Sequence, residues 1–134
     1  MNAKPFLDTN ILVYAFTSND PRSEKAEMLV AAGGIISVQV LNEFVNVSRR
    51  KHHREWDEIK EILGVVKTLL DSPRSLTMVI HDAAVEIARE HGFRFYDCLI
   101  VSAALNAGCS ILYSEDLQHG QMIEQLTIQN PFLE

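Results

Sequence analysis

A short apolar segment followed directly by an acid constrains the fold of this chain most strongly. Lys4 to Leu7 is predicted to form a buried strand, and Ile11 to Phe16 resumes as an apolar helix, with Asp8 between them. Open α/β sheets bind their ligands at the carboxyl ends of their strands, so Asp8 lies where such a ligand would bind. Asp8 is also a favourable helix N-cap, because its side chain accepts hydrogen bonds from free backbone N–H groups. This stretch alone does not separate the two interpretations.

The rest of the chain alternates predicted helices with short apolar strands, a pattern that is typical of a parallel α/β sheet. At 134 residues, the chain is expected to form one domain, residues 1–134, with a substantial core. Predicted helices span residues 22–32, 38–51, 55–71, 81–92 and 96–107. Predicted strands span residues 35–37, 75–80 and 110–113, and residues 126–128 are expected to form an edge strand.

The composition indicates a compact protein, with 47% hydrophobic and 22% charged residues. The net charge of −6 argues against a protein that coats nucleic acid, since such proteins present basic surfaces. It does not exclude a nuclease, because clustered metal-binding acids lower the net charge themselves. No apolar run is long enough to cross a bilayer, and the N-terminus leaves no room for a signal peptide. We therefore expect a cytoplasmic protein without a membrane partner.

Three further acids occupy positions comparable to that of Asp8. Asp97 lies in the first turn of the most apolar predicted helix, where a buried carboxylate is costly without a partner. Arg94 is the nearest cation in sequence and is one candidate for that partner. Glu43 lies at the border of an apolar helix face, where a glutamate that reaches water is the simpler interpretation. Asp116 follows the predicted strand 110–113, where helix capping is again the alternative.

These four acids are expected to lie close together, because the carboxyl ends of parallel strands and the helices that follow them share one edge of the sheet. Carboxylates at close range raise one another's pKa and repel, so the cluster requires a compensating charge. Oxygen ligands without Cys or His select Mg²⁺ or Mn²⁺, and such a metal can activate water and neutralise charge on a phosphate. The predicted ligands, which we call the acidic quartet, are Asp8, Glu43, Asp97 and Asp116.

One basic cluster begins in the last turn of the predicted helix 38–51 and has the sequence Arg49-Arg50-Lys51-His52-His53-Arg54. Such a run is most often a solvated helix end, where cations interact favourably with the helix dipole. In an otherwise acidic protein it can instead contact phosphates. The candidate RNA-binding residues are therefore Arg49, Arg50, Lys51 and Arg54.

Four segments, in order along nearly the whole chain, resemble the successive motifs of PIN-domain ribonucleases, and most closely those of the small toxins of the VapC type. Each motif alone is weak, whereas four in the same order are specific. The segments are Leu7-Asp8-Thr9-Asn10, Asn42-Glu43-Phe44, Phe95-Tyr96-Asp97-Cys98-Leu99-Ile100 and Ser114-Glu115-Asp116-Leu117.

The resemblance implies a three-layer α/β/α fold with a central parallel sheet. It implies metal-dependent hydrolysis of RNA by an attacking water, which leaves a 5′-phosphate, with the acidic quartet as the catalytic and metal-binding residues. Asn10 and Ser114 correspond to supporting polar positions. The resemblance also implies a homodimer and a small DNA-binding antitoxin whose tail covers the acidic pocket. The adjacent acids Glu115 and Asp116 leave open which one reaches the metal, and we favour Asp116.

Two alternatives belong to different functional classes. A non-catalytic PIN-like module could bind RNA or protein, although it would have no need for four mutually repelling carboxylates. A phosphatase could use Asp8 as a nucleophile. The second acid that such enzymes usually carry is absent, since Asn10 occupies the position two residues after Asp8.

Overall fold

The computed structural model describes residues 4–133, and within that range it contains six helices and a four-stranded sheet. The architecture is the expected α/β/α arrangement around a central, mostly parallel sheet. Within the described range, no helix has the length and apolar character that a membrane span requires. The elements are β1 (Phe6–Leu7), α1 (Thr9–Ala15), α2 (Ser23–Ala32), α3 (Val38–Arg50), α4 (Trp56–Leu69), α5 (Met78–His91), α6 (Phe95–Asn106), β2 (Ile111–Tyr113), β3 (Met122–Ile123) and β4 (Leu126–Gln129).

The sheet has the strand order β1-β2-β4-β3. β1 and β4 both pair in parallel with the central strand β2, and Leu112 of β2 lies between Phe6 and Ile128. Residues 126–128 form a strand as predicted, but the predicted edge position is wrong, because β3 pairs with β4 in an antiparallel hairpin and forms the edge. Glu124 makes that tight turn possible with a left-handed backbone (φ 53°), a conformation for which glutamate gives no sequence signal.

On the other side of β1, the predicted strand 35–37 is reduced to two isolated parallel bridges. Ile35 pairs with Phe6, and Ser37 pairs with Arg74. The segment cannot extend because the side chain of Ser37 accepts a hydrogen bond from the backbone N–H of Val40 and so caps α3. The extended backbone nevertheless delivers α3 to the carboxyl edge of the sheet, beside the residues that follow β1.

The predicted strand 75–80 is wrong, and the helix predicted to begin at His81 begins three residues earlier, at Met78. Thr77 caps this helix, since its side-chain oxygen accepts a hydrogen bond from the backbone N–H of Ile80 at 3.2 Å. In this short segment, the helix cap at Thr77 therefore determines the secondary structure, and the weak alternation of polar and apolar residues does not.

The core is built around α6, which packs against α5 and α3 and has an apolar surface on nearly all sides. Every residue from Asp97 to Ala104 is buried, as expected for a helix without a solvated face. Phe6, Leu112 and Ile128 fill the centre of the sheet and are fully buried. Burying one such side chain contributes about 1.5–3 kcal/mol, so the position of α6 and its first turn is set firmly by packing.

Candidate active site

Asp8 follows β1 directly and binds two different parts of the chain. Its Oδ1 accepts a hydrogen bond from the backbone N–H of Thr9 at 2.6 Å, so Asp8 is the N-cap of α1. Its Oδ2 accepts a hydrogen bond from the hydroxyl of Ser114 at 2.6 Å, just beyond β2. The capping interpretation therefore holds, and the same carboxylate also connects the ends of two neighbouring strands.

Burial dominates the electrostatics of Asp8, whose side chain is almost completely removed from solvent. Desolvation raises the pKa of Asp8, the hydrogen bonds from Ser114 and Thr9 lower it, and the negative charges of Asp116 and Glu43 raise it further. The balance is a pKa of about 7 instead of 3.8. The ionised carboxylate is thus unfavourable in the protein alone and would be stabilised by a nearby cation.

The loop after β2 holds Asp116 through Ser114 and Asn10. The fully buried Ser114 hydroxyl accepts a hydrogen bond from the backbone N–H of Asp116 at 3.1 Å. The side-chain amide of Asn10 donates to Asp116 Oδ2 at 3.2 Å. No helix begins in this loop, so helix capping does not account for Ser114, Glu115 or Asp116.

Glu115 has a different set of partners from Asp116. Arg22 donates to both carboxylate oxygens of Glu115, at 3.2 and 3.0 Å, and the hydroxyl of Tyr14 donates to one of them. The Arg22 guanidinium also lies over the Tyr14 ring, 3.9 Å from its centroid, and forms an ion pair with Asp20. These contacts engage the Glu115 carboxylate, while the Glu115 backbone N–H donates to Asn10 Oδ1 at 3.3 Å. The carboxylate of Asp116, which forms no ion pair within residues 4–133, is therefore the better candidate for the quartet.

Glu43 lies on α3, half-buried at the border of the apolar face, as its position in the sequence predicted. Its Oε1 accepts a hydrogen bond from the Thr9 hydroxyl, and its Oε2 accepts one from the Gln39 amide, both at 3.0 Å. Neither Thr9 nor Gln39 was predicted as a site residue. Gln39 had a usable signal, because residues four apart on a helix are neighbours; Thr9 had none.

Asp97 begins α6 and forms an ion pair with Arg94, the nearest cation in sequence. Arg94 Nε lies 3.1 Å from Asp97 Oδ2, and Arg94 Nη2 lies 3.3 Å from Asp97 Oδ1. The hydrogen bond to Asp97 raises the pKa of Arg94, and the charges of Asp97, Asp116 and Glu43 add to the effect. The guanidinium therefore provides positive charge to three members of the acidic quartet.

These residues surround a cleft of about 490 Å³, which we call the acidic cleft. Glu43, Asp116 and Arg94 line it directly, while Asp8 and Asp97 are buried beside lining residues to which they are hydrogen-bonded. The other lining residues are Thr9, Asn10, Val13, Tyr14, Thr17, Asp20, Arg22, Val47, Lys51, His52 and Glu115.

The donor chemistry of the acidic cleft fits a hard divalent cation, since its acids offer oxygen ligands and the buried Asp8 lacks a full counter-charge. The carboxylates are not arranged as a ready ligand set, however. Within residues 4–133, no group of three or more His, Cys, Asp or Glu side chains is placed to hold a metal. Each acid is instead turned toward a protein partner, and Arg94 neutralises Asp97. A bound cation would therefore have to replace some of these contacts.

The basic cluster divides into exposed and engaged residues. Arg54 is only 11% exposed, and its guanidinium donates to the Ser48 hydroxyl and to the Phe16 carbonyl, so its contacts are those of a structural residue. Arg49 stacks on the Trp56 ring at 4.8 Å from the centroid. Arg50 and Lys51 are exposed, and Lys51 reaches the wall of the acidic cleft.

Comparison with known proteins identifies the family. The PIN domain family model matches the chain over residues 6–122. This chain belongs to the PIN domain family. The predicted resemblance to PIN domains is thus confirmed, together with the fold that it implied. No curated protein sequence matches the chain.

Solved structures with this PIN fold include proteins of toxin–antitoxin systems. VapC20 of Mycobacterium tuberculosis, a toxin that cleaves the sarcin–ricin loop, has a TM-score of 0.70 and 19% identity over 83% of this chain and 88% of its own. A toxin–antitoxin complex from Klebsiella pneumoniae has a TM-score of 0.69 and 19% identity over 96% and 98%. VapBC2 of Rickettsia felis, bound to promoter DNA, has a TM-score of 0.66 and 22% identity over 92% and 96%. At these identities the likeness shows the fold.

Proposed function

We propose that this PIN-domain protein is a Mg²⁺- or Mn²⁺-dependent endoribonuclease that hydrolyses RNA phosphodiester bonds and acts as the toxin of a toxin–antitoxin pair. The observation that carries the proposal is the position of Asp8. It is a buried carboxylate whose pKa is raised to about 7 by burial and by the charges of Asp116 and Glu43. Helix capping alone does not explain a buried acid at this position, because an uncharged Ser or Asn caps a helix equally well.

The residues that would hold the metal are Asp8, Glu43, Asp97 and Asp116. When bound, the metal would act as a Lewis acid that activates water and neutralises negative charge on the phosphate. The protein's own part is positioning. Packing of α6 fixes Asp97, the Ser114 hydroxyl orients Asp8, and Asn10 orients Asp116.

Lys51 and Arg50 are proposed to attract the RNA backbone. Lys51 lies on the wall of the acidic cleft and Arg50 lies next to it at the end of α3, so both place positive charge at one end of an otherwise acidic surface. His52 lines the same wall, and burial together with the charges of Arg54 and Lys51 lowers its pKa. The positive charges of Lys51 and Arg50, which are not part of the quartet, thus attract an RNA phosphate to the cleft that contains the acids.

The partner proposals rest on solved structures that share this fold. These include toxin–antitoxin complexes from Klebsiella pneumoniae and Rickettsia felis. We infer that this chain forms a homodimer and is inhibited by a small antitoxin that covers the acidic cleft. A cationic segment of the antitoxin would meet Glu43 and Asp116, the two members of the acidic quartet that line the cleft directly.

One observation favours the alternative of a non-catalytic PIN-like module that binds RNA or protein. Arg94 already neutralises Asp97, so this member of the quartet does not require a metal to be stable in its buried position. The two candidates can be distinguished by experiment. A nuclease cleaves RNA and stops when the metal is removed, whereas a binding module does not cleave RNA with or without metal.

Incubation of the purified protein with total RNA, with Mg²⁺ or with EDTA, tests the proposal. We expect cleavage with Mg²⁺, none with EDTA, and none by the Asp8→Asn or Asp97→Asn variants, since each substitution removes a charge but little volume. Asp82→Asn, an exposed aspartate on α5, is the matched control and should cleave normally. RNA that stays intact with the unmodified protein, or cleavage that persists in Asp8→Asn, would refute the nuclease.

A further inference from the structure

A second groove borders the acidic cleft along the polar side of α3. It has a volume of about 430 Å³ and shares the lining residues Glu43, Val47 and Arg94 with the cleft, so the two spaces adjoin. We call it the amide groove, because three amide side chains on α3 line it opposite the first residues of α6. Its lining residues are Gln39, Asn42, Glu43, Asn46, Val47, Arg94 and Tyr96.

Two of these amides have side chains that are free to bind a ligand. Asn42 and Asn46 line the groove, lie four residues apart and therefore adjacent on α3, and make no side-chain hydrogen bond within residues 4–133. The third amide, Gln39, differs because it is buried and bonded to Glu43. A carboxamide offers both donors and an acceptor, which is the combination that pairs with the edge of a nucleobase.

Tyr96 forms the opposite side of the groove and is 62% exposed. It immediately precedes Asp97, so packing that fixes the first turn of α6 also fixes the backbone that carries this ring. Its aromatic neighbour, Phe95, is tilted at 59° with centroids 6.0 Å apart, and no ring among the described residues stacks in parallel on Tyr96. An exposed aromatic ring beside a phosphate-binding site is a platform for an unpaired base, and such stacking contributes about 1–3 kcal/mol per base.

We propose that the amide groove binds one unpaired nucleobase of the RNA next to the phosphate held in the acidic cleft, with Tyr96 stacked on the base and Asn42 and Asn46 bonded to its edge. This rests on the proposed ribonuclease function. Because Glu43 and Arg94 line both the groove and the cleft, a base in the groove lies next to the acids of the cleft. Bases in a duplex are stacked and paired and cannot enter such a groove, so the substrate is single-stranded or looped RNA.

A binding measurement tests the proposal without relying on cleavage. Short fluorescent oligonucleotides of adenosine, cytidine, guanosine or uridine are titrated in EDTA, which prevents cleavage, and binding is followed by anisotropy. Tyr96→Ala is expected to weaken binding by roughly five- to a hundredfold, whereas Tyr96→Phe, which keeps the ring, stays within about twofold. The double substitution of Asn42 and Asn46 by Ala is expected to equalise the four affinities. Asn106→Ala, an exposed amide at the end of α6, is the matched control and leaves binding unchanged.

Unaltered affinity in Tyr96→Ala, an unaltered base preference in the double Asn variant, or equally tight binding of duplex RNA would each overturn the amide groove. None of the substituted side chains is buried, so melting temperatures close to that of the parent protein are expected and confirm folding. Cleavage is assayed separately with Mg²⁺. If binding is base-selective and depends on Tyr96 but no RNA is cleaved, the nuclease proposal is refuted and the base-binding amide groove is retained. If RNA is cleaved but binding does not change in the Tyr96 and Asn variants, only the base-binding amide groove is refuted.

Discussion

The guanidinium of Arg94 lies 3.1 Å from the carboxylate of Asp97, yet the Arg94 side chain is 77% exposed while that of Asp97 is only 8% exposed. The cation therefore lies on the solvent side of the pair, and the anion is fixed on the protein side. An ion pair of this kind is weak, because water screens its exposed partner. Arg94 can leave Asp97 at small cost when a stronger cation arrives.

We predict that Arg94→Met increases the affinity for Mn²⁺ by about two- to fivefold, since it removes a competing cation whose pairing contributes below about 1 kcal/mol. Calorimetric titration of the metal measures the effect. Arg89→Met is the matched control, because Arg89 is exposed to a similar degree as Arg94 and forms an ion pair with Glu86 on α5, outside the site. Unchanged or weaker Mn²⁺ binding in Arg94→Met would contradict competition between guanidinium and metal.

The raised pKa of Asp8 predicts how the metal-free protein responds to pH. The folded protein holds the Asp8 proton up to about pH 7, whereas the unfolded chain releases it near 3.8, so the stability that this group contributes is complete below 3.8 and disappears as pH rises through 7. The decrease corresponds to at most about 4 kcal/mol. Thermal melting in EDTA should show Asp8→Asn to be more stable than the parent protein, and the gain should be larger at pH 8 than at pH 5, where only part of this stability has been lost. A similar gain for Asp82→Asn would indicate a general charge effect.

Glu115 and Asp116 are adjacent but should respond differently to neutralisation. Asp116→Asn is expected to reduce Mg²⁺-dependent RNA cleavage on the order of a hundredfold or more, as removal of one preorganised charge does in other enzymes. Glu115→Gln is expected to retain cleavage and to lower the melting temperature, because it weakens the interactions with Arg22 and Tyr14. If Glu115→Gln reduces cleavage more than Asp116→Asn does, Glu115 and not Asp116 is the fourth acid of the quartet.

The basic cluster should separate into binding and structural residues. Replacing Arg50 and Lys51 with Ala is expected to flatten the salt dependence of RNA binding, by about 0.7 in the log–log slope for each phosphate that is no longer neutralised. Arg54→Ala should leave the slope unchanged and destabilise the fold by about 1–3 kcal/mol, because it removes charged hydrogen bonds to Ser48 and Phe16. Equal slopes for the double variant and the parent protein would remove Arg50 and Lys51 from the RNA interface.

Local rules in the sequence were sufficient to predict much of the architecture. Asp8, Asp97 and Asp116 could be expected in one neighbourhood because strand ends and helix starts share an edge of a parallel sheet. The apolar character of α6 on all sides likewise predicted its burial. The family resemblance added the expected function and the expected supporting roles of Asn10 and Ser114, which spacing alone does not supply.

Several of the errors and omissions involve long-range interactions or short elements. Strand β3 has two residues and a turn at Glu124-Gln125 that lacks the Asn or Gly typical of hairpins. The ion pair between Arg22 and Glu115 joins residues 93 apart, and nothing local marks it. These features depend on how complete elements pack, and only the assembled fold reveals them.

The burial of α6 has a consequence for how this site could change. A helix enclosed on every side cannot rotate or slide, so Asp97 is a fixed point of the site, and Asp8 shares that rigidity through the strand ends it joins. Glu43 on the flank of its helix and Asp116 in a loop are the adjustable half. Ions of different radius, and new substrate preferences over evolutionary time, would be accommodated by movement of the loop and of α3, while the two buried aspartates stay in place.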